Sequence, residues 1–483
     1  MLLAAGAPAL SAPLSAAMLV VTATGTAHGA SPTAGRLTSQ DLTVDNVGSP
    51  HYRIPALTTS VKGTVLAAYD ARPTLGDLPS NISIVLRRST DKGVTWQPQQ
   101  VVRKDAAPKG YGDPSLLVDR TTGRIFLFYA ASVNQGFFGS GTGNDETDPD
   151  IIQADYSYSD DDGLTWTHSR ITEQIKNPAW AGMFAASGEG IQLRRGPYKG
   201  RLIQQYAVRV NGANYAASAY SDDHGETWKM GNPVGPGGDE NKTVELSDGR
   251  VMLNNRSKPY RTVAYSTDGG VNYTPFTQDT RLTDPANNAS VIRYDADAPP
   301  ADPQSSWLLF SNTEDTSARR NLTVKMSCDN GRTWPIRKVV DPGAAAYSTL
   351  TRLPDGRLGL LYERADYQHI TYSSFDLQWL GGTCADITIT PPATLKAGTT
   401  AEVTVRVVNR MDVRRDRGTV DLMVPGGWTM GQVAVPALTP GQGADVKVPV
   451  TVPAGASGSF GLTATYRASG KEASGRATVT VTP

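Results

Sequence analysis

The chain has 483 residues, more than one ordinary hydrophobic core holds, so two domains, or a repeat domain with an appendage, are expected. Its 46 basic and 46 acidic residues balance, which argues against a nucleic-acid binder, where a basic excess is usual. With 48 Gly and 32 Pro, and apolar runs that are short and often β-branched, the composition favours an all-β protein.

Met1 to Ala30 contains no Lys, Arg, Asp or Glu, and Met18-Leu19-Val20-Val21 is its most apolar part. The stretch is expected to be a secretory signal ending near Ala27 or Ala30, which makes the protein extracellular. A basic leading region is missing, and a disordered Ala-rich tail is the competing reading. No later segment is long and apolar enough to span a bilayer. Two cysteines, Cys328 and Cys384, suit an exported protein with one optional disulfide. The five histidines are scattered without a His-x-x-x-His pair, so no metal site is expected and no cofactor is implied.

From residue 62 onward two repeats interleave. The first is a tight turn entering an apolar strand: Lys62-Gly63, Thr122-Gly123, Lys199-Gly200, Asp248-Gly249 and Asp355-Gly356, with Trp307-Leu308-Leu309-Phe310 as a degenerate member. The second is an octapeptide, Ser89-x-Asp91-x-Gly93-x-Thr95-Trp96, which returns from Ser159, Ser221 and Ser327 and, more weakly, as Ser266-x-Asp268-x-Gly270-x-Asn272-Tyr273. Asp accepts hydrogen bonds from turn backbone, Gly supplies a positive φ, and Trp anchors the hairpin on apolar surface. Six hairpins, five followed by an octapeptide, predict six units of four short strands closed into a β-propeller over residues 36–383.

Beyond Cys384 the turn motif disappears. Alternating strands such as Ala401–Val408 and Ala477–Thr482, separated by Pro/Gly turns, predict an immunoglobulin-like β-sandwich over residues 386–483. Trp428 is expected to be buried there, with a sugar-platform role as the alternative.

The octapeptide resembles the Asp box of sialidases, and Tyr52-Arg53-Ile54-Pro55 resembles their Arg-Ile-Pro motif. The resemblance covers the repeat region and is closest to secreted actinobacterial sialidases. It implies substrate-binding roles for Arg53, for Arg256 in Leu253-Asn254-Asn255-Arg256, and for Arg319, with Arg320 as rival for the third place. It implies a catalytic tyrosine at Tyr347 in Ala346-Tyr347-Ser348, with Glu240 of Asp239-Glu240-Asn241 as its partner and Glu245 as the alternative. Asp77 in Gly76-Asp77-Leu78-Pro79 matches the acid/base aspartate, with Asp70 read as structural. Glu363 matches the carboxylate that braces the first arginine, and Asp113 a further active-site aspartate. Glu189 is expected to shape the site without taking part in catalysis. Phe137 and Phe184 would line an apolar pocket or pack in the core.

The chemistry fits these residue types. Three guanidiniums offer permanently charged, forked donors to the carboxylate of sialic acid. A neutral phenol approaches that anionic sugar without the repulsion a carboxylate nucleophile would meet, provided a base takes its proton. Asp77, as the acid, needs a raised pKa, expected from burial. The implied substrates are sialylated glycoproteins, glycolipids or oligosaccharides. Trans-sialidase, intramolecular trans-sialidase and a non-catalytic sialic-acid-binding propeller are the alternatives.

Overall fold

The computed structural model describes residues 35–300, 302–334, 336–381, 387–409, 414–439, 442–468 and 471–483. The expected leader and Cys384 lie outside them. Cys328 is disulfide-bonded.

The expected six blades are present, each built on four antiparallel strands with short Gly188–Glu189 and Ile191–Gln192 added to the second and third, and each begins with an innermost strand. In chain order these are His51–Thr59, Gly110–Val118, Met183–Ala185, Asn241–Glu245, Ser290–Arg293 and the second part of Ile336–Arg352. Ile336–Arg352 serves two blades. Its first part pairs with Arg320–Ser327 as the outer strand of the fifth blade, and from Ala345 onward it pairs with Leu358–Arg364 as the inner strand of the sixth. The sixth blade is completed from the other end of the propeller: Leu37–Val44 pairs with His369–Phe375. This explains why the last repeat lacks the octapeptide, since its fourth strand does not follow it in sequence.

Each octapeptide is a self-contained turn. In the first copy Asp91 accepts from the Ser89 hydroxyl (2.7 Å), from the Thr95 amide (2.8 Å) and from the Thr95 hydroxyl (2.6 Å), while Ser89 Oγ accepts from the Gly93 amide. The motif's fourth residue is left-handed as well as its glycine: φ is +63° at Lys92, +67° at Asp162, +61° at His224 and +60° at Asn330. The glycine marks an inter-blade joint. A Cβ on Gly225 would stand 2.2 Å from the Phe126 ring of the preceding blade, and one on Gly163 would stand 2.5 Å from Leu66. Trp228 and Trp334 are buried, and Trp96 packs edge-on to Tyr372 of the sixth blade.

Residues 387–482 form two further sheets. One contains Ile387–Thr390, Thr400–Val408, Gly443–Thr451 and Thr429–Met430, and the other has five strands ending with Lys471–Thr482. Alternate residues Val403, Val405 and Val407 meet Val446, Val448, Val450, Leu462 and Tyr466 in one apolar core, as the period-two pattern predicts. Trp428 belongs to that core and packs against Phe460. No helix among the described residues is long and apolar enough to cross a membrane.

Candidate active site

The innermost strands begin, and their partner strands end, on the face opposite the repeated turns. Three of them change register at that face, between Arg53 and Ala56, Gly112 and Ser115, and Ala345 and Ser348. Ile54 and Asp113 both have φ of +62°. For β-branched Ile54 that is a genuine outlier, and such bulges re-aim side chains beside active sites.

Glu363 is fully buried and holds the region together. Its two oxygens accept from Arg53 Nε (3.0 Å) and Nη2 (3.3 Å), from the Ile54 amide (2.8 Å) and from the Tyr347 amide (3.1 Å). One carboxylate therefore orients the first arginine and fixes both distorted strands.

Tyr347 donates its hydroxyl to Glu240 at 2.7 Å and accepts from Arg256 Nη1 at 2.9 Å. Arg256 Nη1 also donates to Glu240 at 2.5 Å. Burial and the charge of Glu240 push the Tyr347 phenol well above its usual range, against the pull of Arg256, Arg53 and Arg319. Burial presses Glu240 upward too, but Arg256, the Tyr347 hydroxyl and Lys242 outweigh it and hold that carboxylate below the ordinary glutamate value. The result is a neutral phenol hydrogen-bonded to an ionised base, the arrangement an activated nucleophile requires.

Three guanidinium carbons surround the same ring, at 5.3 Å from its centroid for Arg53, 5.4 Å for Arg319 and 6.0 Å for Arg256. Arg256 Nε is buried without a hydrogen-bond acceptor among the described residues, with Asp239 Oδ2 3.7 Å away. The two rivals fall away. Arg320 is an exposed neighbour paired with Asp315, and Glu245 sits at the far end of its strand, bonded to Arg293 and to the amides of Arg194 and Arg195.

Asp77 corrects the expectation of a buried acid: its side chain is 76% exposed and accepts from Arg72 Nη1 at 2.8 Å. Asp77 lies in the exposed part of the loop 73–81, so sequence proximity to the strand did not translate into burial. The desolvated aspartates are its neighbours. Asp70, paired with Arg72 at 2.7 Å, is pushed up to about 6 by burial. Burial, aided by the charge of Asp70, raises Asp113 well above the usual carboxylate range, and Arg72 opposes it.

Phe137 and Phe184 form an edge-to-face pair with centroids 4.9 Å apart, both half-buried. On Met183–Ala185 the flanking Met183 and Ala185 enter the core and Phe184 points the other way. Glu189 is not at the tyrosine. It accepts from Ser290 Oγ at 2.6 Å and lines a cavity of about 440 Å³ on the opposite face, with Arg293 and Tyr294. Tyr367, absent from the sequence expectations, joins the site: its hydroxyl accepts from Arg319 Nη1 at 3.1 Å, and its ring lies 4.5 Å from the Arg53 guanidinium carbon. Nothing in its sequence context signals this. Among the described residues no group of three or more His, Cys, Asp or Glu is placed to hold a metal ion.

Comparison with known proteins is consistent with this geometry. Residues 63–360 match the BNR repeat-like domain family, and residues 385–469 match the NPCBM-associated NEW3 domain of alpha-galactosidase. A sialidase of Micromonospora viridifaciens is 51% identical over 454 residues, which cover 92% of this chain and 70% of that protein. The chain belongs to the sialidase family. This sialidase is therefore a glycoside hydrolase. A Hadza microbial sialidase of known structure is 34% identical, with a TM-score of 0.63 over 68% of this chain and 66% of its own. An intramolecular trans-sialidase from Ruminococcus gnavus, 22% identical, superposes with a TM-score of 0.63 over 70% of this chain and 97% of its own, and shares the fold.

Proposed function

We propose that this sialidase is a retaining exo-α-sialidase that releases terminal sialic acid from glycoproteins, glycolipids or oligosaccharides through a glycosyl-tyrosine intermediate. The observation that carries the reading is the convergence of Arg53, Arg256 and Arg319 around a tyrosine whose hydroxyl is already donated to a buried, ionised glutamate.

The guanidiniums bind the sugar carboxylate with their forked, permanently charged donors. That contact sets the anomeric carbon over Tyr347. The phenol oxygen attacks it as Glu240 takes the phenolic proton, and Asp77 gives its proton to the departing glycosidic oxygen. In the second half Asp77 removes a proton from water, the water oxygen bonds to the anomeric carbon, and Tyr347 leaves with its proton returned by Glu240. A bound sugar would cover Asp77 and provide the desolvation that the free chain does not. Asp113 and the Phe137–Phe184 pair line the sugar on either side of this centre.

Tyr347→Phe tests the reading. Turnover of an aryl sialoside should fall by about three orders of magnitude or more with the fold intact, as when an essential nucleophile is removed. Undiminished turnover would overturn the mechanism. Free sialic acid as the first product supports hydrolysis, whereas an anhydro sugar or a transferred sugar would assign the chain to transfer. Secretion belongs to the same reading, from the uncharged stretch 1–30. Its check is the N-terminal sequence of protein recovered outside the cell, and retention with the stretch uncleaved excludes it.

A further inference from the structure

The three arginines are not held alike. Arg53 is paired with Glu363, and Arg256 with Glu240. Arg319 has no carboxylate partner among the described residues. Its guanidinium donates to the Tyr367 hydroxyl and lies beside the Tyr347 ring.

Tyr367 reaches it from the turn between Leu358–Arg364 and His369–Phe375. Ala365, Asp366 and Tyr367 have φ of +50°, +52° and +71°, three consecutive left-handed residues without a glycine among them. Residues with a Cβ disfavour this conformation, and runs of it persist only where surrounding structure imposes it. Here the turn is pinned by the Ala365 amide donating to Ala344 O at 2.8 Å. The consequence is that one side chain touches two of the three guanidiniums, its ring packing on Arg53 and its oxygen meeting Arg319.

A phenol suits this position for an electrostatic reason. Glu363 and Glu240 each offset one arginine, so the third is the cation left to match the single negative charge of a sugar carboxylate. A carboxylate beside Arg319 would cancel that charge and compete with substrate. A neutral acceptor aims the guanidinium and leaves its charge available.

We infer that Tyr367 is the positioning residue of the carboxylate clamp, fixing Arg319 through its hydroxyl so that the clamp selects carboxylate-bearing sugars. The inference rests on the sialidase reading above. It is tested with Tyr367→Phe, which keeps the ring over Arg53 and removes the acceptor. The probes are a non-hydrolysable sialic-acid analogue and its neutral methyl ester, measured as inhibitors alongside kcat for an aryl sialoside.

The inhibition constant of the carboxylate analogue should rise about five- to tenfold, as expected when one ordinary intramolecular hydrogen bond is lost. That of the ester should change less than twofold, roughly the scatter of such comparisons, and for the aryl sialoside the larger change should fall on KM rather than kcat. In an Arg319→Ala background the same substitution should add nothing, because its effect passes through Arg319. Equal weakening of both inhibitors, or a full additional loss without Arg319, would overturn the role. Failure of the unaltered protein to bind the analogue would instead sink the sialidase reading itself.

Discussion

The aspartates of the repeated turns and the carboxylates of the candidate active site are the same chemical groups at opposite faces of the propeller, under opposite forces. Asp91 and Asp161 lie near water, and hydrogen bonds from within their own eight residues dominate or outweigh what burial does, holding both at about 2. Burial governs Asp70 and Asp113 and drives them up. Glu240 escapes that rise through Arg256, Tyr347 and Lys242, of which only Lys242 is close in sequence. The turn carboxylates are satisfied locally and serve the fold. The site carboxylates take partners from farther along their own blade and from other blades, Arg256 and Tyr347 for Glu240 and Tyr347 and Arg53 for Glu363, and their chemistry exists only in the assembled molecule.

This contrast can be broken at either end. The largest expected effect is Glu240→Gln. Turnover of the folded fraction should fall by about 10²–10⁴-fold, the range for losing a positioned proton acceptor. A variant with near-normal turnover would remove Glu240 from the mechanism. Next, Glu363→Gln should cost about 3–5 kcal/mol in a denaturant titration, because it strips the ion-pair partner from buried Arg53, and binding of a sialic-acid analogue should weaken with it. Stability loss without a change in binding would make Glu363 a purely structural residue.

At the other face, Gly225→Ala places a methyl group against the Phe126 ring at a left-handed position, and roughly 2–3 kcal/mol of stability should be lost with kcat unchanged in the folded fraction. A change in kcat would show that the joint between blades communicates with the site. The smallest effect expected is Asp161→Ala, about 1 kcal/mol at neutral pH. Its pH dependence has a defined sign. The folded-state pKa of Asp161 lies below its ordinary value of 3.8, so the stabilisation is complete above about pH 4 and is lost as pH falls through about 2. The gap between parent and variant should therefore narrow on acidification. A constant gap would mean that the charge of Asp161 is not what caps the turn.

The same division decides what could be seen in the sequence. The repeated turns were legible because all their partners lie within eight residues, down to the Ser, Asp, Gly and Thr that bond one another. What the pattern hid was the left-handed fourth residue, since Lys92, Asp162 and His224 share no chemistry that announces it. Blade count was legible, but not the double use of Ile336–Arg352, where Asp341-Pro342-Gly343 looks like a turn and instead carries the strand from one blade into the next. At the site, residue types and short motifs indicated the arginines, Tyr347 and Glu240. They did not decide between Arg319 and Arg320, which needed the neighbours each one meets in space. The exposure of Asp77 and the entry of Tyr367 depend on loop conformation, and the Tyr367 turn uses three residues that no turn rule favours.

The pairing of Leu37–Val44 with His369–Phe375 has a consequence for the life history of the molecule. The first strand of the ring to leave the ribosome finds its neighbour only after more than three hundred further residues have been made. Until then that strand is unpaired, and a last blade that fails to capture it keeps a bare edge, a template for pairing with another chain. Loop-closure entropy grows slowly with length, so the latch is not expensive once both strands exist. Its timing is the exposed step. Shortening the chain by those eight residues should leave the chemistry of the site in place and turn the protein toward self-association.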